Sequence, residues 1–421
     1  MRRRTGMLAY GVALLSFCTL GAVYVFAAMV PSKSTEPPLP HTQQKRTSEL
    51  LFFIPYGEQD TEIYIEPAPG PGEGDGIWQT TPVAFRRLAD GNLMIVGGRK
   101  GGLAAQVFDQ SGKLVRFVRY EWGMPVPLYD LLYLTGDGSL YILRRTLFDN
   151  RAINSGIVVQ SDSTDVQDID VQSNPVPEQP AEHPSYLVIF DPDGKRNGEL
   201  ASRFIEQLVE LVNNEDFDSI GGGLAVTTTG EVLVEYATPV QPEGYAIVRL
   251  ARLRTSGEKQ TLTAPGSPPI RLYDGSIGYL QASRREEGDS EQVSEVRIVR
   301  EDVSVLARFK IPVSVREKGR VVLGDYSTPD PILVSPNRLA LLVCDYSYDD
   351  NGYKSIEKVR GVRMWRQYLI VLDPSGEVVF EEPIMTVGEM QHLWDTDGKG
   401  NLYYLNFTNE GVEVRRVSLT R

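Results

Sequence analysis

Histidine and cysteine are nearly absent from this sequence, with three His and two Cys in 421 residues. His41, His183 and His392 are too scattered for a zinc site or a histidine-based triad, each of which needs several such side chains converging. Cys18 lies inside an N-terminal apolar run and Cys344 ends the run Leu339-Ala340-Leu341-Leu342-Val343, so no disulfide framework is available. Basic charge is also scarce: 43 Lys and Arg stand against 56 Asp and Glu, a net charge of −13. Binding a phosphate backbone needs cations gathered on one face, so this balance excludes nucleic acid as a partner. Gly97-Gly98-Arg99-Lys100-Gly101-Gly102 lacks the spacing of a phosphate-binding loop and the helix that should follow it. Asp395-Thr396-Asp397-Gly398-Lys399-Gly400 resembles a calcium loop, but Lys399 and Asn406 stand where an acid or Asn and then a Glu belong. The set Asp345, Asp349, Asp350 and Asn351 is no stronger. No catalytic residue, metal ligand or cofactor is expected.

What is abundant points to short strands and tight turns. There are 39 Gly, 27 Pro and 20 Tyr, and the 41% of hydrophobic residues recur in blocks. The N-terminus is different. Arg2-Arg3-Arg4 precede Met7 to Val30, 24 residues without a charge. That run exceeds a signal-peptide core and is long enough for a single transmembrane helix. The arginines before it put the N-terminus in the cytoplasm and the body outside, so a signal anchor over 1–30 is expected. Cleavage near Ala27-Ala28 is the alternative and would release a secreted protein. Residues 31–49 are a Pro-rich polar linker. Without residues 1–30, which carry three Arg and no acid, the net charge is −16.

The remainder is internally repetitive. A turn residue, then a small or polar residue, then an apolar run appears as Gly91-Asn92-Leu93-Met94-Ile95-Val96. It returns from Gly138, Gly230, Gly275, Asn337 and Gly400, six copies in all. A second motif follows most of them, clearest in Leu369-Ile370-Val371-Leu372-Asp373-Pro374-Ser375-Gly376-Glu377-Val378-Val379. Asp-Pro-x-Gly presets a reversing turn, because Pro fixes φ and Gly accepts positive φ, and the flanking apolar residues read as a hairpin.

Four-stranded units at a period of about 45 residues are the signature of propeller blades. These motifs resemble those of the six-bladed NHL and TolB-like propellers, over roughly residues 50–421. The resemblance implies an all-β, six-bladed β-propeller of four-stranded antiparallel blades. The last copy offers strands over 401–407 and 412–419 and then stops. Residues 50–66 offer strands with no blade of their own, so the N-terminal segment is expected to complete the last blade and close the ring.

Antiparallel order places the strand a-to-b and c-to-d turns on one face, with the b-to-c and d-to-a connections on the other. The long insertions all fall on the second face. Residues 151–184 are acidic and read as a disordered insertion. Residues 199–214 carry Leu200, Phe204, Ile205, Leu208, Leu211 and Val212 at helical spacing, and a helix packed on the propeller is expected. Residues 345–367 hold Tyr346, Tyr348, Tyr353, Arg360, Arg363, Trp365 and Arg366, the residue types that dominate recognition surfaces. They form either a binding patch, which Trp122 would extend, or an elongated hairpin. The function expected is a membrane-tethered, extracytoplasmic module binding a protein or small molecule. The alternative is a metal-dependent propeller hydrolase or lactonase, which resembles this fold and holds its metal in the central channel.

Overall fold

The computed structural model describes residues 46–65, 78–79, 82–99, 102–122, 126–127, 130–144, 187–213, 217–239, 247–287, 290–323, 330–345, 357–359, 362–387 and 393–420. The basic stub, the apolar run, most of the linker and the 151–184 insertion lie outside them. Among the described residues no helix is long and apolar enough to cross a membrane.

The chain builds six antiparallel blades. Strand β1 (Glu49–Pro55) comes first but belongs to the last blade. Blade one is β2 (Pro82–Arg87), β3 (Leu93–Arg99), β4 (Gly102–Phe108) and β5 (Leu114–Arg119). Blade two has β6 (Leu131–Leu134), β7 (Leu140–Leu143) and β8 (Leu187–Phe190), followed by helix α1 (Gly198–Val212). Blade three is β9 (Ser219–Val226), β10 (Val232–Ala237), β11 (Val248–Leu253) and β12 (Lys259–Thr263). Blade four is β13 (Pro269–Arg271), β14 (Ile277–Glu287), β15 (Ser290–Val299) and β16 (Val305–Lys310). In blade five the inner edge has two pieces, β17 (Gly319–Val322) and β18 (Ile332–Ser335), both paired with β19 (Arg338–Asp345). Strands β20 (Val362–Leu372) and β21 (Val378–Val387) complete that blade. Blade six is β22 (Trp394–Thr396), β23 (Asn401–Phe407) and β24 (Gly411–Ser418), with β1 as its outer strand.

Every copy of the first sequence motif marks the turn from an inner strand to the second strand. The reason is local chemistry. In four of these turns an Asp carboxylate accepts the amide two residues on: Asp90 from Asn92, Asp137 from Ser139, Asp274 from Ser276 and Asp397 from Lys399. In five copies the motif glycine (Gly91, Gly138, Gly230, Gly275 or Gly400) sits at φ between +80° and +95°, which an L side chain resists. The same device recurs between third and fourth strands, at Asp109, Asp191, Asp302 and Asp373. All these short turns lie on one face.

The closing strand is seated as expected. Glu49 to Pro55 pair with Arg416 to Gly411, and Phe52 and Ile54 are buried. Side chains reinforce the seam. Arg46 donates to the carbonyls of Ser418 and Thr420. Glu382 accepts from Ser48, from Tyr404 Oη at 2.7 Å and from Arg415 at 2.9 Å.

Blade two departs from the four-strand pattern among the described residues. After Phe190 a single bridge to Arg196 is all that forms beyond β8, and the chain then enters α1. Asn197 caps the helix by accepting the Leu200 amide. Ala201, Phe204, Leu208, Leu211 and Val212 recur at helical spacing and are buried against blades two and three. Burying that stripe requires helical geometry, so the helix covers the outer edge of β8 in place of a strand.

Candidate functional site

The innermost strands of all six blades surround a small central cavity of about 40 Å³. Phe85 and Arg86 come from blade one, Tyr133 and Leu134 from blade two, and Leu224 from blade three. Blade four gives Pro269 and Arg271, blade five Asp330, Pro331 and Ile332, and blade six Trp394 and Asp395. The repeat explains part of this convergence. Arg86 pairs with Met94 and Asp395 with Tyr403, so the two occupy equivalent positions in neighbouring blades one and six.

Asp395 is the electrostatic centre. It is 1% exposed. One carboxylate oxygen accepts the Thr396 amide at 2.8 Å and the Arg271 guanidinium, and the other accepts the Arg87 amide at 2.8 Å. Arg86 Nε lies 3.4 Å from the second oxygen. The Arg86 guanidinium also stands 5.8 Å from the Tyr133 ring centre, and Arg87 the same distance from Tyr403. Burial holds Arg271 below the usual guanidinium value, Asp395 opposing the shift and Arg86 adding to it. Trp394 Nε1 donates to the Asp330 carbonyl at 3.0 Å across the blade five–six seam.

This lining does not fit a divalent cation. Such an ion needs several converging oxygen donors. The cavity instead turns two guanidiniums onto its most buried carboxylate, and among the described residues no three His, Cys, Asp or Glu side chains gather. Another buried acid, Glu235 on β10, is 2% exposed and stands alone. It accepts from the Ser267 hydroxyl and the Gly222 and Gly223 amides, yet burial dominates and pushes its carboxyl upward.

A larger cleft, about 270 Å³, opens on the face of the long connections. It lies where β3 turns into β4, where β5 ends, and where the chain crosses from the closing strand toward blade one. Arg99 holds that crossing segment by donating to the carbonyls of Glu58, Gln59 and Glu62 at 2.7–3.1 Å. Gln106 reinforces it by donating to the carbonyls of Asp60 and Glu62. The guanidiniums of Arg99 and Arg119 stand 5.2 and 5.5 Å from the Phe117 ring. Burial lowers the Arg99 pKa, and Asp60 partly compensates. Arg119 is 80% exposed and 3.9 Å from Asp60, so its charge faces solvent. The cleft therefore offers an aromatic floor, an exposed cation and the acids Glu58 and Asp60.

The residues singled out by sequence are distributed differently. Trp122 is buried at 3% exposure, edge-on to Phe190 and flanked by Arg144 and Arg196 at 5.6 and 5.7 Å, so it packs between blades one and two. An indole so placed does not extend an exposed patch. Arg363, Trp365 and Arg366 lie on β20, whose start pairs with a short strand Glu357–Val359 to make a hairpin, and Arg366 is exposed. Tyr346, Tyr348, Tyr353 and Arg360 lie outside the described residues, as does His392. The calcium-like run is a strand and a turn: Asp395 points to the arginines, while Asp397 accepts the Lys399 and Asn401 amides. Sequence reading missed Arg86, Arg271, Arg99 and Arg119. Scattered arginines carry no spacing signal, though Arg86 and Asp395 share one repeat position.

No family model matches the chain, and no curated protein matches it. Several solved structures match at low similarity. A catalytically inactive virginiamycin B lyase from Staphylococcus aureus matches at 8% identity, covering 82% of this chain and 97% of that one, with a TM-score of 0.32. A gluconolactonase from Xanthomonas campestris matches at 10% identity, covering 88% and 99%, with a TM-score of 0.30. A lignostilbene dioxygenase from Pseudomonas brassicacearum matches at 11% identity, covering 75% and 65%, with a TM-score of 0.33. Likeness at this level carries no argument, and the fold rests on the blades described above.

Proposed function

We propose that the chain is a membrane-tethered β-propeller, displayed outside the membrane, that binds a protein or small-molecule ligand through its loop-elaborated face. The observation that carries this reading is the division of the two faces. Among the described residues one face has short turns, most of them Asp-capped. The other carries the long connections and the 270 Å³ cleft floored by Phe117 and edged by Arg119. Loops on a rigid scaffold are where recognition concentrates. The β20 hairpin with Arg363, Trp365 and Arg366 starts on the same face. The tether is read from Arg2-Arg3-Arg4 and the uncharged 24 residues after them, with the N-terminus cytoplasmic.

The test is affinity capture of partners from an extracytoplasmic extract on the full chain in lipid nanodiscs, with metabolite profiling of the eluate. Enrichment that is lost in Arg119→Ala or in the Arg363→Ala, Trp365→Ala pair supports the reading. Capture unchanged by these variants, or no enrichment over an empty nanodisc, sinks it. Protease protection in intact vesicles checks the tether, because the propeller must be digested only from the extracytoplasmic side.

A further inference from the structure

The channel cations are under-used. Two guanidiniums carry about ten N–H donors between them. Among the described residues Asp395 accepts one hydrogen bond from Arg271, and Arg86 makes only its 3.4 Å ion pair and its contact with the Tyr133 ring. Asp395 cannot absorb the rest, because both its oxygens are already engaged by the Arg87 and Thr396 amides. These are also not solvated surface groups: the Arg86 and Arg271 side chains are 12% and 19% exposed. Donors removed from water and left unmade are costly, and charged ones most of all.

The cavity they face has matching dimensions. At about 40 Å³ it takes a group of a few atoms rather than a whole metabolite. Tyr133, Trp394 and Pro269 set ring surfaces beside the charged groups, and an enclosed site between them strengthens any charge interaction inside. Asp330 is the second carboxylate of the lining, on the blade-five wall. The ion pairs that Arg86 and Arg271 make among the described residues run to Asp395. A guanidinium fork is matched in geometry to carboxylate and phosphate oxygens.

We propose that the central channel binds a small oxyanion, a carboxylate or phosphate group, held by the Arg86 and Arg271 guanidiniums on the side away from Asp395. Asp395 then acts as the fixed counter-charge that keeps both guanidiniums in place when the site is open. All six blades meet at this point, so the bound anion ties the ring together. Its binding stabilises the fold by mass action.

The experiment is calorimetric titration of the full chain with sodium phosphate and, separately, sodium acetate, at constant ionic strength maintained with sodium chloride. Thermal unfolding is followed alongside. Saturable binding of at least one of the two, with a rise in Tm, is the expected result, and the arm that responds identifies the oxyanion. Arg86→Met is expected to weaken that binding by at least about tenfold, the loss of a charge-assisted contact. Arg86→Lys, which keeps the charge and removes the fork, guards against misfolding and is expected to bind at an intermediate level. Arg119→Met, on the outer cleft, is expected to bind like the parent. No saturable binding of either anion overturns the proposal. So does parental affinity in a folded Arg86→Met, or an equal loss in Arg119→Met, which would mark adsorption to surface charge.

Discussion

Phe52 is the residue on which ring closure can be tested most directly. It lies on β1, 8% exposed, with its ring 5.6 Å from Phe108 of blade one. It therefore ties the outer strand of blade six to the neighbouring blade as well as to its own sheet. Gly112 makes room for it: a Cβ there would sit 2.5 Å from Phe52 Cβ. Phe52→Ala removes a buried ring between two rigid sheets that cannot collapse onto the void. The expected cost is about 3–5 kcal/mol. Domain stabilities are about 5–15 kcal/mol, so this one change takes a large share of the margin. Phe53, the next residue, is the internal control. It is 43% exposed on the other side of the strand, and Phe53→Ala is expected to cost less than about 1 kcal/mol. Urea unfolding read by tryptophan fluorescence measures both, with the midpoint falling and the slope unchanged for Phe52→Ala. Closure through Phe52 is refuted if the two variants shift the midpoint equally, or if Phe52→Ala costs less than about 1 kcal/mol. Either result would mean that β1 does not seal the ring.

Three further outcomes are expected. Val303 occupies, at φ +66°, the turn position that Gly112, Gly194, Gly257 and Gly376 fill in the other blades, and it is 56% exposed. The left-handed cost to an L residue is about 1–2 kcal/mol and the entropic cost of glycine about 0.5–1, so Val303→Gly should stabilise by about 0.5–1 kcal/mol in the same urea assay. Glu235 binds its proton more tightly folded than unfolded. Its contribution is present below the unfolded value of 4.5 and is lost as pH rises through the raised folded pKa. Glu235→Gln should therefore be more stable than the parent at pH 7, with the difference vanishing below pH 4.5; a constant difference across that range contradicts this. Asp395→Ala removes the carboxylate with which both Arg86 and Arg271 pair, and should cost about 3–5 kcal/mol in the absence of added anion. A change under about 1 kcal/mol would show that the clasp is solvated rather than buried.

Most of the architecture was legible because a propeller is written locally. Each tight turn is specified by its own residues, so the copies at Gly91, Gly138, Gly230, Gly275, Asn337 and Gly400 could be counted without knowing what they pack against. Helix α1 was legible for the same reason: its apolar stripe repeats at 3.6 residues whatever lies beneath it. Even the closing strand followed from a deficit, since 50–66 had strands without a blade and the last repeat had a blade without an outer strand. Trp122 marks where this reasoning stops. Its position in the 120–128 connection suggested exposure, but the ring lies between blades one and two, because burial of one side chain depends on the neighbouring blade and not on its own segment.

The sequence by itself determined the repeat, the turn chemistry, the inserted helix and the assignment of long connections to one face. Each depends on interactions within about ten residues of chain. Only the tertiary structure decided which side chains meet. Arg86, Arg271 and Asp395 are separated by 185 and 124 residues, and each alone is an unremarkable charge on a strand. Closing six blades around an axis brings one residue of each inner strand to the same place. Electrostatics then selects the partners, because a cation so far removed from water is held by whatever anion the ring delivers.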